Sequence, residues 1–381
     1  MFDLIILSGE YAVNSNMKGI GYRLWEIANA LNFKYGLKIK IIAPEPFNPS
    51  SKRIKFTLAT NRNIKKNLAQ SKSFLVTYGC DPNFLRRAKS LNKTVIFDSL
   101  MTPIETFQYQ KVKKMAKSKR NKFIDEQMES YKEALSLSDY IITGSYEEKE
   151  IMIGQLLMLG KINYENHNKF NKLIDIIPIG FSRSLFLKRW KTTSSKTFLW
   201  NGGVWNHYDI KNLLLAFKVL AKKGSKIKLH FLYKSGTDNF KQIIDFVQKK
   251  RLKKTIILPD EATDYFSRSN VVSSSRGIIV MFGDTLEANT TLRLRIRDVL
   301  LYQKPIITSK YGLLGRFVAQ NKIGCSIDNS VNSIIEAVEK LSSDNAYYDS
   351  CIQEIKKLAK QYEYEKTCER LSKFIISQKN D

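Results

Sequence analysis

Cysteine and histidine are scarce in this chain, four of the first and three of the second in 381 residues. Cys80, Cys325, Cys351 and Cys368 lie far apart with no CxxC pair, which excludes a disulfide framework and a structural zinc module and points to a reducing, cytosolic compartment. Apolar runs are short: none approaches the ~18 uninterrupted residues of a membrane span. The opening Met1-Phe2-Asp3-Leu4-Ile5-Ile6-Leu7 has an acid at position 3, no basic flank and a polar Ser8-Gly9-Glu10 behind it, so it reads as a buried strand and not a signal peptide. Acids are also sparse, 36 Asp+Glu against 63 Lys+Arg, a formal charge of +27. What remains, 43% hydrophobic and 26% charged residues, is an ordinary globular composition, and roughly 150 residues per domain gives two domains, each able to bury a core.

The basic excess has two readings, a genome-wide composition bias toward Lys, Asn and Ile or a binding partner. Clustering is more informative than the total. Lys111, Lys113, Lys114, Lys117, Lys119, Arg120 and Lys122 follow Tyr109 with no acid among them. This stretch is either a solvated helix face or a patch for anionic lipid head groups, with Phe107, Val112, Met115 and Phe123 adding apolar contacts. Nucleic acid is not expected as a partner, because the cations are spread over many elements and no helix-turn-helix, zinc module or aromatic RNA-binding strand is present.

Apolar, β-branched runs alternate with helical-period segments from end to end. Strands are expected at residues 4–7, 38–43, 74–77, 94–97, 140–143 and 175–178, with helices near 22–34, 82–90, 106–135 and 146–159. A second series follows, strands at 197–200, 228–233, 255–258, 277–282, 305–308 and 324–327, with helices near 210–222, 240–250, 292–302, 314–321 and 331–342. Pro178-Ile179-Gly180-Phe181 closes the first series and the polar stretch 188–196 precedes the second. The expected class is α/β, two Rossmann-like doubly wound domains facing a cleft: 1–183, 184–344, and C-terminal helices over 345–381 able to pack back on the first domain. Open α/β sheets bind ligands at the carboxyl ends of their strands, but fold alone does not name a reaction.

Three loops carry polar chemistry. After the first strand, Gly19 and Gly21 lead into a helix, where glycines let backbone amides approach a phosphate or sugar. Leu24 breaks the full dinucleotide fingerprint, and tight packing is an equal alternative. In the second half, Trp200 is followed by Asn201-Gly202-Gly203-Val204-Trp205, and Asp209 stands at the N-cap position before a helix that carries Lys211. These glycines permit backbone approach to a pyrophosphate while Trp205 and Tyr208 pack on a sugar or base; the alternative is aromatics plugging the seam between domains. Further on, Glu287 precedes Arg293, Arg295, Arg297 and Asp298, with Arg293 and Arg295 expected in the first turns of one helix. Guanidinium forks there suit a diphosphate, and Asp298 suits ribose hydroxyls or an i,i+3 pair with Arg295. Finally, Val95-Ile96-Phe97-Asp98 ends a strand in an acid that is a site residue or a turn cap.

On three stretches the chain resembles retaining glycosyltransferases of the GT-B fold, close to glycosyltransferase family 4 and its bacterial surface-polysaccharide branch. They are Asn201-Gly202-Gly203-Val204-Trp205 with Asp209; Leu286-Glu287 through Leu292-Arg293-Leu294-Arg295 and Asp298 to Lys304-Pro305; and Gly144-Ser145 through Ile153-Gly154 to Leu159-Gly160-Lys161-Ile162. The family's Glu, seven residues, Glu element ends seven residues before a Pro. Counting back from Pro305 puts Asp298 at the second Glu and Thr290 at the first, with Glu287 three residues upstream as substitute. The family's phosphate-neutralising Arg and Lys fall at Gly203 and Tyr208, with Lys211 three residues on, so the resemblance makes Arg293 and Arg295 the phosphate clamps. None of His167, His207 and His230 matches the histidine common in the family's first domain, whereas Asp98 matches the acid of the nearer branch.

The resemblance implies transfer of a sugar from a nucleotide diphosphate sugar to a glycan or lipid-linked acceptor, with retention. Catalytic roles fall to Arg293, Arg295, Asp98 and Glu287. Donor binding falls to Gly19, Gly21, Asn201, Gly202, Gly203, Trp205, Asp209, Lys211 and Asp298. No metal or other cofactor is expected, and the location implied is cytoplasmic, at the inner face of the membrane. The alternative is a degenerate GT-B binding or scaffold subunit without transferase activity, which the missing acid at Thr290 favours.

Overall fold

The computed structural model describes residues 1–45, 54–100, 102–107, 110–186, 195–205, 208–234, 236–261 and 263–378. Tyr109, most of the polar stretch 188–196, and Asn206 and His207 lie outside the described residues. The chain divides into two compact units, Met1–Leu187 with Tyr362–Asp381, and Lys188–Gln361. This redraws the expected boundary at 183 and splits the tail from 345. Helix Asn345–Ala359 belongs to the second unit because Tyr348 and Ile352 are buried in its core. Helices Tyr364–Thr367 and Glu369–Ser377 belong to the first, where Tyr364 N–H donates to Phe181 O at 2.9 Å and Phe181 N–H to Tyr362 O at 3.2 Å.

Among the described residues the first unit holds one parallel sheet of seven strands: β1 Leu4–Leu7, β2 Ile39–Ala43, β3 Ile54–Leu58, β4 Ser73–Thr77, β5 Thr94–Asp98, β6 Tyr140–Thr143 and β7 Ile174–Ile176. Their order is β3-β2-β1-β4-β5-β6-β7. The central strands β1, β4 and β5 are built around the buried runs Leu4–Leu7, Phe74–Val76 and Val95–Phe97, as parallel strands covered on both faces require. Strand β3 was not anticipated. It is an edge strand in register with β2 from Ile39↔Ile54 to Ala43↔Leu58, and only Ile54 is fully buried, so its sequence lacks the apolar run of an interior strand.

The single helix expected over 106–135 is broken into Pro103–Thr106, Gln110–Lys113 and Lys117–Leu137. The basic run therefore spans two helices and is not one helical face. Within it Val112 is buried, while Lys111, Lys113, Lys114, Lys117, Lys119 and Lys122 are exposed. At the far end Lys161 Nζ donates to Leu135 O at 3.0 Å, Ser136 O at 2.8 Å and Ser138 O, satisfying carbonyls that a helix C-terminus leaves without partners.

The second unit repeats the plan with six described parallel strands: β8 Thr197–Trp200, β9 Lys228–Phe231, β10 Ile256–Ile257, β11 Gly277–Val280, β12 Ile306–Ser309 and β13 Gly324–Ile327. Their order is β10-β9-β8-β11-β12-β13. Phe198, Trp200, Phe217, Phe231, Ile279 and Ile307 lie at the centre of its core. In each sheet the order of growth reverses once, between β1 and β4 and between β8 and β11, and the crevice outside the carboxyl ends at such a reversal is where doubly wound sheets bind ligands. Among the described residues no helix is long and apolar enough to cross a membrane.

Candidate functional site

The reversal in the second sheet brings the loops after β8 and β11 together. Asn201, the first residue after β8, is 2% exposed, and its Nδ2 donates to Asp298 Oδ2 at 2.8 Å and to Arg295 O at 3.3 Å. Asp298 is deeper still, 1% exposed, and also accepts from Arg297 Nη1 at 2.9 Å and from Arg268 through Nε at 3.3 Å and Nη2. Burial alone would raise the Asp298 pKa; the charges of Arg268 and Arg297 outweigh it and hold the carboxyl below its ordinary range. Arg268 reaches on to Asn201 O at 2.7 Å and to the Tyr233 hydroxyl, with its guanidinium 5.2 Å from the Tyr233 ring centre. Asp298 is thus the keystone of a polar core under the loop. With both oxygens engaged by this chain's own donors, it does not present a free carboxylate to ribose.

Above this layer the guanidinium of Arg295 lies 4.5 Å from the Trp200 ring centre and 4.2 Å from that of Tyr208, and Arg295 Nη2 donates to Gly203 O. A Cβ on Gly202 would come within 2.9 Å of Arg295 Cζ, so the glycine is what lets the fork lie flat against the loop. Arg293 stacks 4.6 Å from Phe282 and 5.1 Å from Tyr208, and its Nη1 donates to Glu287 Oε1 at 3.0 Å. Tyr208 is held there by a bridge to Phe282, next to the bond from Asp209 N–H to Met281 O at 3.1 Å. The cluster holds four guanidinium groups, on Arg268, Arg293, Arg295 and Arg297, against the carboxylates of Glu287 and Asp298, each residue at most 7% exposed. Cations in such excess in low-dielectric surroundings favour an anion.

Several expectations are corrected here. In place of one helix over 292–302 stand two short ones, Leu286–Thr290 and Ile296–Tyr302, with Thr291 extended between them. Glu287 is in the first, Arg295 is the N-cap of the second, and Arg293 precedes it, so Arg293 and Arg297 share no helix face. Asp298 pairs with Arg268 and Arg297 and not with Arg295. Asp209 occupies the N-cap position of helix Ile210–Lys222, yet its side chain makes no capping bond. Lys211 is exposed on that helix. Trp205 is 51% exposed, and its ring lies within 3.1 Å of where a Gly203 Cβ would sit.

In the first unit Asp98 proves to be neither an open acid nor a turn cap. It is 2% exposed and takes a two-pronged pair from Arg23, Nε to Oδ2 at 2.8 Å and Nη2 to Oδ1 at 3.3 Å. Arg23 also donates to Ile177 O at 2.9 Å, Pro178 O at 3.3 Å and the Tyr364 hydroxyl at 3.4 Å. Burial would lower the Arg23 pKa; Asp98 and Tyr364 reverse this and raise it, so the guanidinium keeps its charge. Gly19 is the N-cap of helix Ile20–Tyr35, and a Cβ on Gly21 would fall 2.1 Å from Ala12 O. Close packing of the loop accounts for Gly21 without a ligand.

Residues that sequence reasoning missed are Arg268, Tyr233 and Tyr265, whose ring centre lies 5.5 Å from the Arg297 guanidinium. Glu148 is another. Its Oε2 accepts from Gly144 N–H at 2.6 Å, and burial pushes its pKa up to about 8. Ser145 capping the same helix through Glu148 N–H at 3.1 Å gives the Ser-x-x-Glu spacing as the one sequence signal for it.

No protein-family model and no curated protein matches the chain in sequence. Solved structures do match in three dimensions. A sucrose-phosphate synthase from Thermosynechococcus elongatus superposes with a TM-score of 0.66 at 12% identity, over 99% of both chains. Anabaena HepE, solved in complex with UDP-glucose, gives 0.65 at 10% over 98% of this chain and 99% of that one. WaaG, a glycosyltransferase involved in lipopolysaccharide biosynthesis, gives 0.62 at 10% over the same shares. Likeness over nearly the whole length establishes the fold, two parallel-sheet α/β units with helices, as in GT-B glycosyltransferases.

Proposed function

We propose that this chain is a retaining glycosyltransferase that moves a hexose from a nucleotide diphosphate sugar to a glycan or lipid-linked acceptor in cell-surface polysaccharide synthesis. The observation that carries the reading is the arginine-rich cluster at the carboxyl ends of β8 and β11, where Arg293 and Arg295 are held by aromatic rings beside the Gly202-Gly203 backbone. Such a site suits a diphosphate, whose oxygens pair with guanidinium forks. The half-exposed Trp205 offers a surface for a base or sugar. The fold shared with a UDP-glucose complex and with an enzyme of lipopolysaccharide biosynthesis supports the donor class and the pathway.

In the reaction the bond from the anomeric carbon to the diphosphate breaks, and the acceptor hydroxyl oxygen bonds to that carbon on the same face. The hydroxyl proton passes to the departing diphosphate. The protein's part is electrostatic. Arg295 and Arg293 face the charge that grows on the leaving group, prepositioned by Trp200, Tyr208 and Glu287, so little reorganisation is needed at the moment of reaction. On this reading the guanidinium groups take the role a divalent ion plays elsewhere, no cofactor is required, and catalysis takes place at the cytoplasmic face of a membrane.

A second reading, a binding subunit without transfer, is favoured by one observation: Glu287, the substitute for the missing family acid, is tied to Arg293. One experiment separates the two. A panel of nucleotides and nucleotide sugars is screened by thermal shift, where a ligand at 100 times its Kd adds about 2.7 kcal/mol. The donor so identified is then incubated with enzyme and a panel of glycan and lipid-linked acceptors, with and without EDTA. Release of nucleoside diphosphate, unaffected by EDTA, is the expected result; stabilisation without turnover supports the binding subunit, and no stabilisation by any nucleotide overturns both.

A further inference from the structure

Helix Tyr146–Met158 buries Glu148, Met152 and Leu156 in the first unit. Its opposite face is not an ordinary solvated one. Glu147, Glu150, Ile151, Gly154, Leu157 and Met158 recur there at three- and four-residue steps. The apolar members are open, Ile151 39%, Leu157 52% and Met158 88% exposed. A groove of about 370 Å³ runs beside them between this helix and helix Lys117–Leu137, lined by Met128, Tyr131, Leu135, Ile151 and Gly154. Gly154 stands at the centre of the face, where an added Cβ would meet nothing within 4 Å among the described residues. A glycine inside a helix is destabilising relative to alanine, and packing within this unit gives no return for it. Close approach of a second helix would. The face is also symmetric about Gly154: Glu147 stands seven residues before it and Lys161 seven after, Ile151 three before and Leu157 three after. Lys149 is turned aside, its Nζ donating to Asn171 Oδ1 at 2.7 Å, so the charge this face carries at its first turns is acidic.

We propose that this face is the interface of a homodimer, in which helix Tyr146–Met158 of two copies crosses antiparallel on a two-fold axis at Gly154. Such an axis sets each residue opposite the one equally far on the other side of Gly154. Glycine then meets glycine at the crossing, where the two helices come closest. Leu157 of one copy falls on Ile151 of the other and on the groove beside it, twice over. The acidic end with Glu147 falls beside the end that carries Lys161, and the helix dipoles oppose, so charge favours the antiparallel pairing. An anionic membrane is the poorer occupant, because Glu147 and Glu150 share the face with the apolar stripe. The proposal goes beyond the transferase reading and does not depend on it.

The test is sedimentation velocity on the full chain in physiological salt, from about 1 to 100 μM. A concentration-dependent dimer is expected. Leu157→Glu with Met158→Glu puts four carboxylates into the two-fold interface and should weaken the dimer at least about tenfold. Both side chains are open to solvent in a single copy, so the melting temperature of this variant as a monomer should be preserved. Gly154→Cys adds a geometric readout, since the introduced thiols face each other across the axis. With oxidised glutathione, two thiols give one disulfide and two molecules of reduced glutathione, and a covalent dimer is expected on a non-reducing gel. The native cysteines are buried and give little background, and Lys222→Cys, exposed on the second unit, is the control that should remain uncrosslinked. A monomer throughout the range, a dimer that the two glutamates leave intact, or cross-linking no faster than in the Lys222→Cys control overturns the proposal. A chain that stays monomeric and loses binding to neutral vesicles in the glutamate variant also overturns it, and gives the stripe to a membrane. Since none of these measurements involves a nucleotide, their failure is distinguishable from failure of the transferase reading.

Discussion

Arg23 Nε donates to Asp98 Oδ2 at 2.8 Å, tying the first helix to the end of β5 in a pair that is essentially sealed from solvent. The same guanidinium holds the carbonyls of Ile177 and Pro178 and the hydroxyl of Tyr364, so one side chain fastens the end of the first strand series to the returning C-terminal segment.

Substituting Asp98→Asn should therefore lower stability by about 3–5 kcal/mol, the cost of stranding a buried charge. A catalytic role predicts the opposite pattern, loss of kcat at unchanged melting temperature. Thermal unfolding and turnover measured on the same preparation decide between them.

Asp298→Asn should be as severe, because it leaves Arg268 and Arg297 facing each other without the carboxylate. Combining it with Arg268→Ala should cost less than the sum of the single changes, as coupled groups do. Additive losses in the double-mutant cycle would show that the two side chains act independently.

Arg295→Lys should retain the charge but lose the fork and the stack over Trp200 and Tyr208. Turnover is expected to fall about 10²–10³-fold. Arg295→Ala should also lower stability, since this side chain is 7% exposed and packed, not a dispensable surface group. Near-normal turnover in the lysine variant would move the clamp to Arg293.

Lys304 is 2% exposed, and burial, with Arg276 nearby, lowers its pKa to about 8. The unfolded chain, with an ordinary lysine pKa, binds more protons than the folded one between about pH 8 and 10.5, so this group makes stability rise with pH across that window. Below pH 8 the penalty is complete. Lys304→Met should thus raise the melting temperature at pH 7 and flatten the rise between pH 8 and 10; an unchanged slope would refute the assignment.

The exposed cations from Lys111 to Lys122 should carry the chain to anionic vesicles, each contributing about 1 kcal/mol near the surface. Binding should fall as salt rises, since screening acts within about 8 Å at physiological ionic strength. Lys117→Glu with Lys119→Glu should weaken it further. Equal sedimentation with neutral and anionic vesicles would return the run to a solvated surface.

What the sequence by itself determined is the alternation of elements. Interior strands such as Leu4–Leu7 and Gly277–Val280 carry no polar side chain on either face, and helices such as Ile210–Lys222 repeat their apolar residues every three or four, so local pattern is enough. The edge strand Ile54–Leu58, in which only Ile54 is fully buried, and the break between Leu286–Thr290 and Ile296–Tyr302 escaped that pattern. The glycines and arginines of the site were legible as residue types, because few other roles concentrate them after strands. Only the tertiary structure decided which charges meet. Asp298 pairs with Arg268, 30 residues away, and Asp98 with Arg23, 75 away, at distances in the chain where no spacing rule operates. Ion pairs of that kind form because a folded core brings remote groups into one low-dielectric place, where an unpartnered charge is too costly to leave.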